Sequence, residues 1–401
     1  MTKRDDKRVP VLRFKGFTDE WEQRKLGDVA KIVGGGTPST NISNYWNGNI
    51  NWYSPTEIGN QIFVNSSKKK ITELGLKESS AKLLPGKKTI LFTSRAGIGD
   101  MAIMKTDGST NQGFQSWIVK PDITDIYFLY SLGGNLKKQA LRKASGSTFL
   151  EISNSEVKKL SLYLPDFEEQ TIIGKIIKLI DKLITLQQRK LNDLSSMKSA
   201  LLQNIFPNTQ GIKKIKLSTQ EWNLQKISSI FKERNQRNKN GMLLSVSISK
   251  GVYPFSENDR KDNSSNDKSN YKEVKINDLA YNSMRMWQGA VGVSKYNGIV
   301  SPAYTVITPK KEENPNFYYY YFKNKRMLFN FRQHSQGLTS DTWNLKFPLF
   351  EKILIQVPSD KEEEQRISSL FKQLDKSIDL NKIHIEKLTS IKQFLLQNMF
   401  I

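Results

Sequence analysis

Two short runs carry the side chains best suited to reading a polar edge. Phe92-Thr93-Ser94-Arg95 leads out of an apolar run into the glycine-rich Ala96-Gly97-Ile98-Gly99, and Tyr281-Asn282-Ser283-Met284-Arg285 does the same at a matching place further along. An arginine fork can donate two parallel N–H bonds to guanine O6 and N7, and an Asn or Gln amide pairs with adenine N6 and N7. Asn111, Gln112 and Gln115 provide amides beside the first run, and Asn282 and Gln288 at the second. Lys68-Lys69-Lys70 has the make-up of a phosphate contact, which positions a protein on a duplex without specifying sequence. The candidate DNA-contacting residues are therefore Lys68, Lys69, Lys70, Thr93, Ser94, Arg95, Asn111, Gln112, Gln115, Asn282, Ser283, Arg285 and Gln288. Any one of them alone is more often an ordinary surface side chain; the duplicated placement singles out Arg95 and Arg285.

Catalytic patterns fail on their residues. Gly86-Lys87-Lys88-Thr89 resembles the end of a phosphate-binding loop, but Ala81 stands where the first glycine is needed and Lys88 where Ser or Thr belongs. Gly34-Gly35-Gly36-Thr37-Pro38-Ser39-Thr40 could cradle a phosphate, yet no strand and helix frame it as a nucleotide loop. Ser301-Pro302-Ala303-Tyr304 approaches an amino-methyltransferase motif without its second proline, and no glycine-rich adenosylmethionine loop precedes it. With two histidines, His334 and His384, and no cysteine, nothing supports a Ser-His-Asp triad, a thiol nucleophile or a thiolate zinc site. The expectation is a chain without catalytic residues, cofactor or metal of its own.

The 401 residues carry 62 Lys and Arg against 39 Asp and Glu, a net charge of +23, which points to a polyanionic partner. The excess is not uniform. Residues 1–162 carry 25 basic and 15 acidic side chains and residues 207–361 carry 25 and 13, whereas 163–206 carry 6 and 5 and 362–401 carry 6 and 6. A merely lysine-rich composition does not explain basic blocks alternating with neutral ones. No run approaches the roughly 20 apolar residues of a membrane span, and Met1–Phe14 has no apolar core of a secretory signal. A soluble, cytoplasmic protein is expected.

The neutral blocks are copies of each other. Residues 168–206 align without a gap on 362–400, with sixteen of 39 positions identical, including Asp181/Asp375 and the closing Leu-Leu-Gln-Asn-x-Phe. Ile173, Ile180, Leu194 and Leu201 fill one heptad position and Ile176, Leu183 and Met197 the next; Ile367, Leu374, Leu388, Leu395, Leu370 and Ile391 repeat the pattern. Each block predicts one helix of about 58 Å at 1.5 Å per residue. Both seams turn polar at mid-length, at Gln187 and Lys190 and at Asn381 and His384, as a register device or as a solvated stretch. Thr18-Asp19-Glu20-Trp21 also matches Thr219-Gln220-Glu221-Trp222, so the order is globule, helix, globule, helix. Because only a short linker joins Phe206 to Trp222, the helices are expected to pair antiparallel about an approximate two-fold axis.

Short apolar runs at Thr89–Thr93, Met101–Met104 and Ser116–Val119 predict strands, and Asp125–Leu132 and Asn135–Lys143 helices. In the second globule Ala280–Ser283, Ala290–Val293 and Tyr304–Ile307 predict strands, and Asn316–Phe331 one helix. Residues 256–272 are polar enough for a mobile loop. The fold class is α+β: two mixed α/β globules separated by two long antiparallel coiled-coil helices. The expected boundaries are 1–162, 163–206, 207–357 and 358–401.

Several motifs in this order resemble a known family. Phe14-Lys15-Gly16-Phe17-x-x-Glu20-Trp21, Gly35-Gly36-Thr37-Pro38-Ser39-Thr40, Tyr45-Trp46-x-Gly48-x-Ile50-x-Trp52, Ser94-Arg95 and Asn111-Gln112-Gly113-Phe114 look like a target-recognition domain. Pro165–Gln170 and the Leu-Leu-Gln-Asn-x-Phe exits look like its spacer regions. The chain resembles the specificity subunit of a Type I restriction–modification system over essentially its full length; the second globule keeps Glu-Trp and Ser-x-Arg but lacks the Gly-Gly-Thr-Pro run. The resemblance implies that each globule reads one half of a bipartite asymmetric target in double-stranded DNA. It implies that the helices set the spacer and dock two modification subunits, which bring S-adenosylmethionine, and that two restriction subunits with ATP- and Mg-dependent activity can join. Two other classes compete: a fused DNA-modifying enzyme, and a non-enzymatic coiled-coil DNA-binding or scaffold protein.

Overall fold

The computed structural model describes residues 8–59, 61–95, 97–146, 150–207, 221–257, 267–310 and 313–401. Thr219-Gln220, most of the 206–222 linker, Ala96 and 258–266 of the expected loop lie outside the described residues. The chain divides into two units, Met1–Gln188 with His384–Ile401, and Arg189–Ile383. Among the described residues no helix is long and apolar enough to cross a membrane.

In the first unit the apolar runs form a five-stranded sheet in the order Ala30–Gly34, Gln115–Val119, Thr89–Phe92, Met101–Met104, Phe63–Val64. Neighbours are antiparallel except the last pair. Side chains alternate between the two faces, and both faces are covered. Ile90, Phe92, Met101, Ile103 and Trp117 join the core under helices Ile126–Ser131 and Gly133–Lys143, while Leu91, Ala102, Met104 and Phe114 form a second cluster with Tyr53 and Leu84. Two-sided burial is why these strands read as unbroken apolar runs and not as an alternation. Glu22–Lys25 pairs antiparallel with Ser161–Leu164, closing the globule where it opens into the helix.

The second unit repeats the sheet order: Phe231–Glu233, Tyr304–Pro309, Leu279–Asn282, Val291–Val293. Trp222–Lys226 pairs with Leu354–Pro358 as its closing ribbon. The expected boundaries after 162 and 357 thus fall inside the closing strands. Its second face is covered by the hairpin Leu244–Ser247/Gly251–Pro254 and the pair Lys272–Val274/Gly298–Val300, where Leu244, Val246, Val252, Val274 and Val300 cluster with Ala280 and Val306. The single helix expected over 316–331 is two, Pro315–Phe322 and Lys325–His334. Asn324 makes the break: it is buried, its side chain accepts from Arg326 N at 2.8 Å, and its amide donates to Leu202 O. An Asn at a cap satisfies donors that a continuous helix would not leave open.

The long helices are Phe167–Asn204 and Lys361–Asn398, 38 residues each. The first runs through Gly174, where a Cβ would lie 2.4 Å from Asp125 Oδ1, so this glycine is a close approach and not a break. Within the first unit Ile173 and Ile177, near the start of one helix, share a core with Leu395, Leu396, Met399 and Phe400, at the end of the other. Within the second, Ile367, Phe371 and Leu374 share a core with Leu194, Leu201, Ile205 and Phe206. Start lies beside end in both units, so the pair is antiparallel. The expected heptad seam is narrower than read: Leu183, Met197 and Ile391 are exposed, together with Leu179, Leu186, Leu380, Ile383 and Phe394. At the polar midpoint Asn381 is buried, whereas Lys190 and His384 are exposed.

Duplicated polar contacts pin this register. In the first unit Asp181, buried, accepts from Lys392 Nζ at 2.6 Å and from Tyr127 Oη at 2.7 Å. In the second, Asp375 accepts from Lys198 and from Tyr320 Oη at 2.8 Å. The aromatic anchors repeat too. Trp21 packs on Phe128 and Phe400 at 5.7 and 6.3 Å, and Trp222 on Phe317 and Phe206 at 5.8 and 6.2 Å. The closing phenylalanine of each repeat is therefore a core residue.

The buried phenols carry a pH consequence. Burial, reinforced by the neighbouring carboxylate, pushes Tyr127, Tyr318 and Tyr320 upward, and burial lifts Tyr130 and Tyr319 to about 12. Above about pH 10 the unfolded tyrosines ionise while the folded ones keep their protons, so the native state binds more protons there. This contribution is whole below about pH 10 and is lost as pH climbs through the folded values. Urea midpoints measured from about pH 8 to 11 should fall steeply only in the upper part of that range.

Candidate nucleic-acid interface

The turns that follow Thr89–Phe92 and Leu279–Asn282 are equivalent, since each joins corresponding strands at the same end of the same sheet. In the first, Thr93 and Ser94 are buried and Arg95 is half-exposed. Thr93 Oγ1 donates to Gly97 O at 2.6 Å and accepts from Asp100 N at 2.9 Å, while Ser94 N donates to Gly113 O at 2.7 Å. In the second, Ser283 is buried with its hydroxyl 2.8 Å from Thr305 Oγ1, and Arg285 is part-exposed. Thr93, Ser94 and Ser283, expected to contact DNA, are buried here. They are the buried roots of the turn, and the arginine is its tip.

The amides gather around the first turn. The Ser94–Gly113 hydrogen bond sets Asn111 and Gln112 beside it, and Gln115 begins the adjacent strand. Asn111 Oδ1 accepts from Gly113 N at 2.9 Å, Gln112 Oε1 from Thr37 Oγ1, and Gln115 Oε1 from Asn154 Nδ2 at 2.8 Å. Asn282 Oδ1 accepts from Met284 N at 3.0 Å. In all four the oxygen already holds one internal partner, which leaves the NH2, a donor, as the more open end of the amide. That favours acceptor-bearing edges such as guanine O6 and N7 over the donor-and-acceptor pairing expected for adenine. Gln288 is half-buried at the end of the short helical turn Met286–Gln288.

Lys68, Lys69 and Lys70 are not part of this cluster. They are exposed at and beside the outer strand Lys69–Ile71, which pairs with Trp46–Tyr53, itself paired with Gly108–Thr110 just before Asn111. Lys69 Nζ lies 5.6 Å from the Trp46 ring centre. Two strands separate the lysines from the amides, a placement suited to backbone contact and not to base reading.

The sequence patterns that resembled catalytic loops have structural explanations. Ser301 O accepts from Tyr304 N at 3.0 Å, so Ser301-Pro302-Ala303-Tyr304 is a β-turn with proline in its second position. Gly86-Lys87-Lys88-Thr89 is a turn into a strand, with Gly86 N on Asp107 Oδ1 at 2.7 Å. The glycine run is a wedge and not a phosphate cradle. A Cβ on Gly35 would sit 1.8 Å from Asn111 O and one on Gly36 2.3 Å from Ala81 N, and Trp52 Nε1 donates to Gly36 O at 2.9 Å. Gly35→Ala should cost about 3 kcal/mol or more, since backbone must move, and should displace the Asn111 turn. Gly134→Ala, in a helix with open space at the Cβ, should be neutral or slightly stabilising. Thermal melts of the two variants compare them directly.

One feature escaped the sequence reading. After each pair of helices a loop returns to the arginine turn, bridged at its base by Ser145 and Glu151 in the first unit and by Gln336 and Asn344 in the second. The residue after each bridge ties it to the turn: Ile152 N donates to Ser94 O at 3.2 Å and Leu345 N to Ser283 O at 2.9 Å. Gly146 and Gly337 have φ of +132° and +143°, which only glycine adopts freely. The repeated Ser-Gly-x-Thr at 145–148 and Gln-Gly-x-Thr at 336–339 was the available signal. The loops bring carboxylates to the arginines: Glu151 Oε1 lies 2.8 Å from Arg95 Nε, and Asp341 Oδ1 lies 3.9 Å from Arg285 Nη1. Exposed pairs of this kind contribute about 0–1 kcal/mol, so a stronger partner can take the arginine. In the second loop Trp343 packs on Trp287 at 5.1 Å with Arg332 4.8 Å above its ring, and Leu338 is fully exposed.

Comparison with known proteins agrees with the duplication. The family model described as the Type I restriction modification DNA specificity domain matches twice, over residues 18–196 and 219–390. The specificity subunit of the Type I restriction enzyme MjaIX from Methanocaldococcus jannaschii is 35% identical over 197 residues, 48% of this chain and 45% of that protein. The EcoR124I/EcoR124II specificity subunit of Escherichia coli is 32% identical over 186 residues, 45% of this chain and 44% of its own length. The match thus spans a little under half of each of these relatives. The crystal structure of a Type I restriction–modification S subunit from M. genitalium superposes with a TM-score of 0.63 over 98% of this chain and 99% of that one, at 14% identity, a likeness of fold.

Proposed function

The chain belongs to the Type I restriction modification DNA specificity family, and from that premise we propose that it is the DNA sequence-specificity subunit of a Type I restriction–modification complex. Each globule reads one half of a bipartite, asymmetric target in double-stranded DNA. The observation that carries this reading is the doubled family match, lying on two sheets of the same strand order that each present an arginine from the same turn. The turns and loops differ in detail, as two unlike half-sites require: an Asn-Gln pair flanks Arg95, and a tryptophan pair lies beside Arg285.

The long helices set the spacing between half-sites and dock two modification subunits. The exposed apolar residues Leu179, Leu183 and Leu186 on one helix and Leu380, Ile383 and Phe394 on the other support a protein partner, since a solvated helix has no need of them. S-adenosylmethionine, ATP and Mg belong to the modification and restriction subunits, and this chain contributes recognition. The charge pattern, basic globules and neutral helices, fits DNA on the former and protein on the latter.

Co-expression with its modification subunit and mapping of methylated bases tests the reading. A single bipartite motif with a gap of fixed length is the expected result. Unmethylated DNA, or methylation without a gapped motif, would overturn it.

A further inference from the structure

In both units the reading arginine faces a carboxylate supplied by a different segment. Arg95 and Glu151 come from the turn and the loop of the first unit, Arg285 and Asp341 from their counterparts in the second. The loops differ in length and sequence, seven residues from bridge to bridge in one and nine in the other, yet both deliver an acid. Both are fastened to the turn by the backbone hydrogen bonds at Ile152 and Leu345. The acids are not buried: the Glu151 and Asp341 side chains are 36% and 86% exposed.

A carboxylate is a poor choice on a surface that meets phosphates, because it repels them. Its cost is accepted where it has a donor to find. On the major-groove edge of a G·C pair, guanine O6 and N7 accept, and beside them the cytosine N4 amino group donates; arginine answers the first and Asp or Glu the second. The amide oxygens around Arg95 are already engaged within the protein, so among the polar groups around this turn the carboxylate is the more open and more strongly accepting partner for N4.

Resting on the specificity-subunit reading, we propose that each arginine–carboxylate couple reads one G·C base pair of its half-site. Arg95 and Arg285 bond the guanine, and Glu151 and Asp341 accept from the N4 amino group of the paired cytosine. Glu151 and Asp341 are thus specificity-determining residues, supplied by loops that the turn alone does not contain. Without DNA the acid occupies the arginine; with DNA each turns to its own base.

The test uses the full chain with its modification subunits, and Glu151→Met and Asp341→Leu, which keep similar bulk and remove the accepting oxygens. Methylation of a randomised half-site library by Glu151→Met should lose discrimination at one G·C position on the order of tenfold, in the half-site that Arg95→Ala also relaxes, with the other half unchanged. Asp341→Leu should do the same in the opposite half. A positioning role is separated by a duplex whose cytosine at that position is replaced by a pyrimidinone lacking the 4-amino group. This probe should weaken binding by the wild-type complex on the order of tenfold and leave Glu151→Met binding unaltered. Equal losses in both proteins, an unchanged motif, or a uniform rise in affinity for all sequences with an altered salt slope would overturn the proposal. Thermal midpoints of the variants check folding. Absence of any gapped motif from the wild-type complex would count against the specificity-subunit reading itself, a separate outcome.

Discussion

Lys392→Met is expected to destabilise the first unit by about 3–5 kcal/mol, because it leaves the Asp181 carboxylate buried without its counter-charge. Asp181 has a side chain only 6% exposed, bonded to Lys392 at 2.6 Å and to Tyr127 at 2.7 Å, so a solvent shell cannot replace the ammonium. Asp181→Asn with Lys392→Met should recover much of the loss, since the double variant buries no charge and keeps an acceptor for the phenol. For a loss of about 3 kcal/mol in a unit of roughly 200 residues, the thermal midpoint should fall by about 6–12 °C. Lys198→Met in the second unit should cost less, because Asp375 is 32% exposed and water can partly stand in. Equal losses from the two lysine variants would show that burial of the acid is not what sets the scale.

Arg95→Ala should have the largest effect on recognition. Each good arginine–guanine fork is worth about 1–3 kcal/mol of discrimination against a wrong base. One half of the methylated motif should therefore relax at one position while the other half keeps its preference. Arg285→Ala should relax the opposite half. Lys69→Ala, two strands away from the amides, should weaken all sequences alike and reduce the slope of affinity against salt. A motif untouched by Arg95→Ala would remove Arg95 from the reading face and leave the duplicated turn as structure only.

The duplication, the two long helices, their antiparallel pairing and the basic globules were legible because they rest on periodicity, identity and charge, which are properties of residues in order. The buried strands were legible as well, since a sheet covered on both faces leaves continuous apolar runs. The break at Asn324 was not, because a helix cap and a mid-helix asparagine look alike until the neighbouring carbonyl of Leu202 is in place. Nor was the burial of Thr93, Ser94 and Ser283, whose short hydroxyls suit a turn's interior as well as its surface.

The amino-acid sequence by itself determined that this chain is a doubled fold with two helical rods and an excess of positive charge in the globules. Only the tertiary structure decided which side chains reach outward. It turned the amide oxygens inward, seated the glycine run against Asn111, and brought Glu151 and Asp341 from distant loops to Arg95 and Arg285. The reason is that a hydrogen bond or an ion pair between residues some 55 positions apart leaves no periodic trace in the chain. It exists once the sheet and its covering helices have closed the distance.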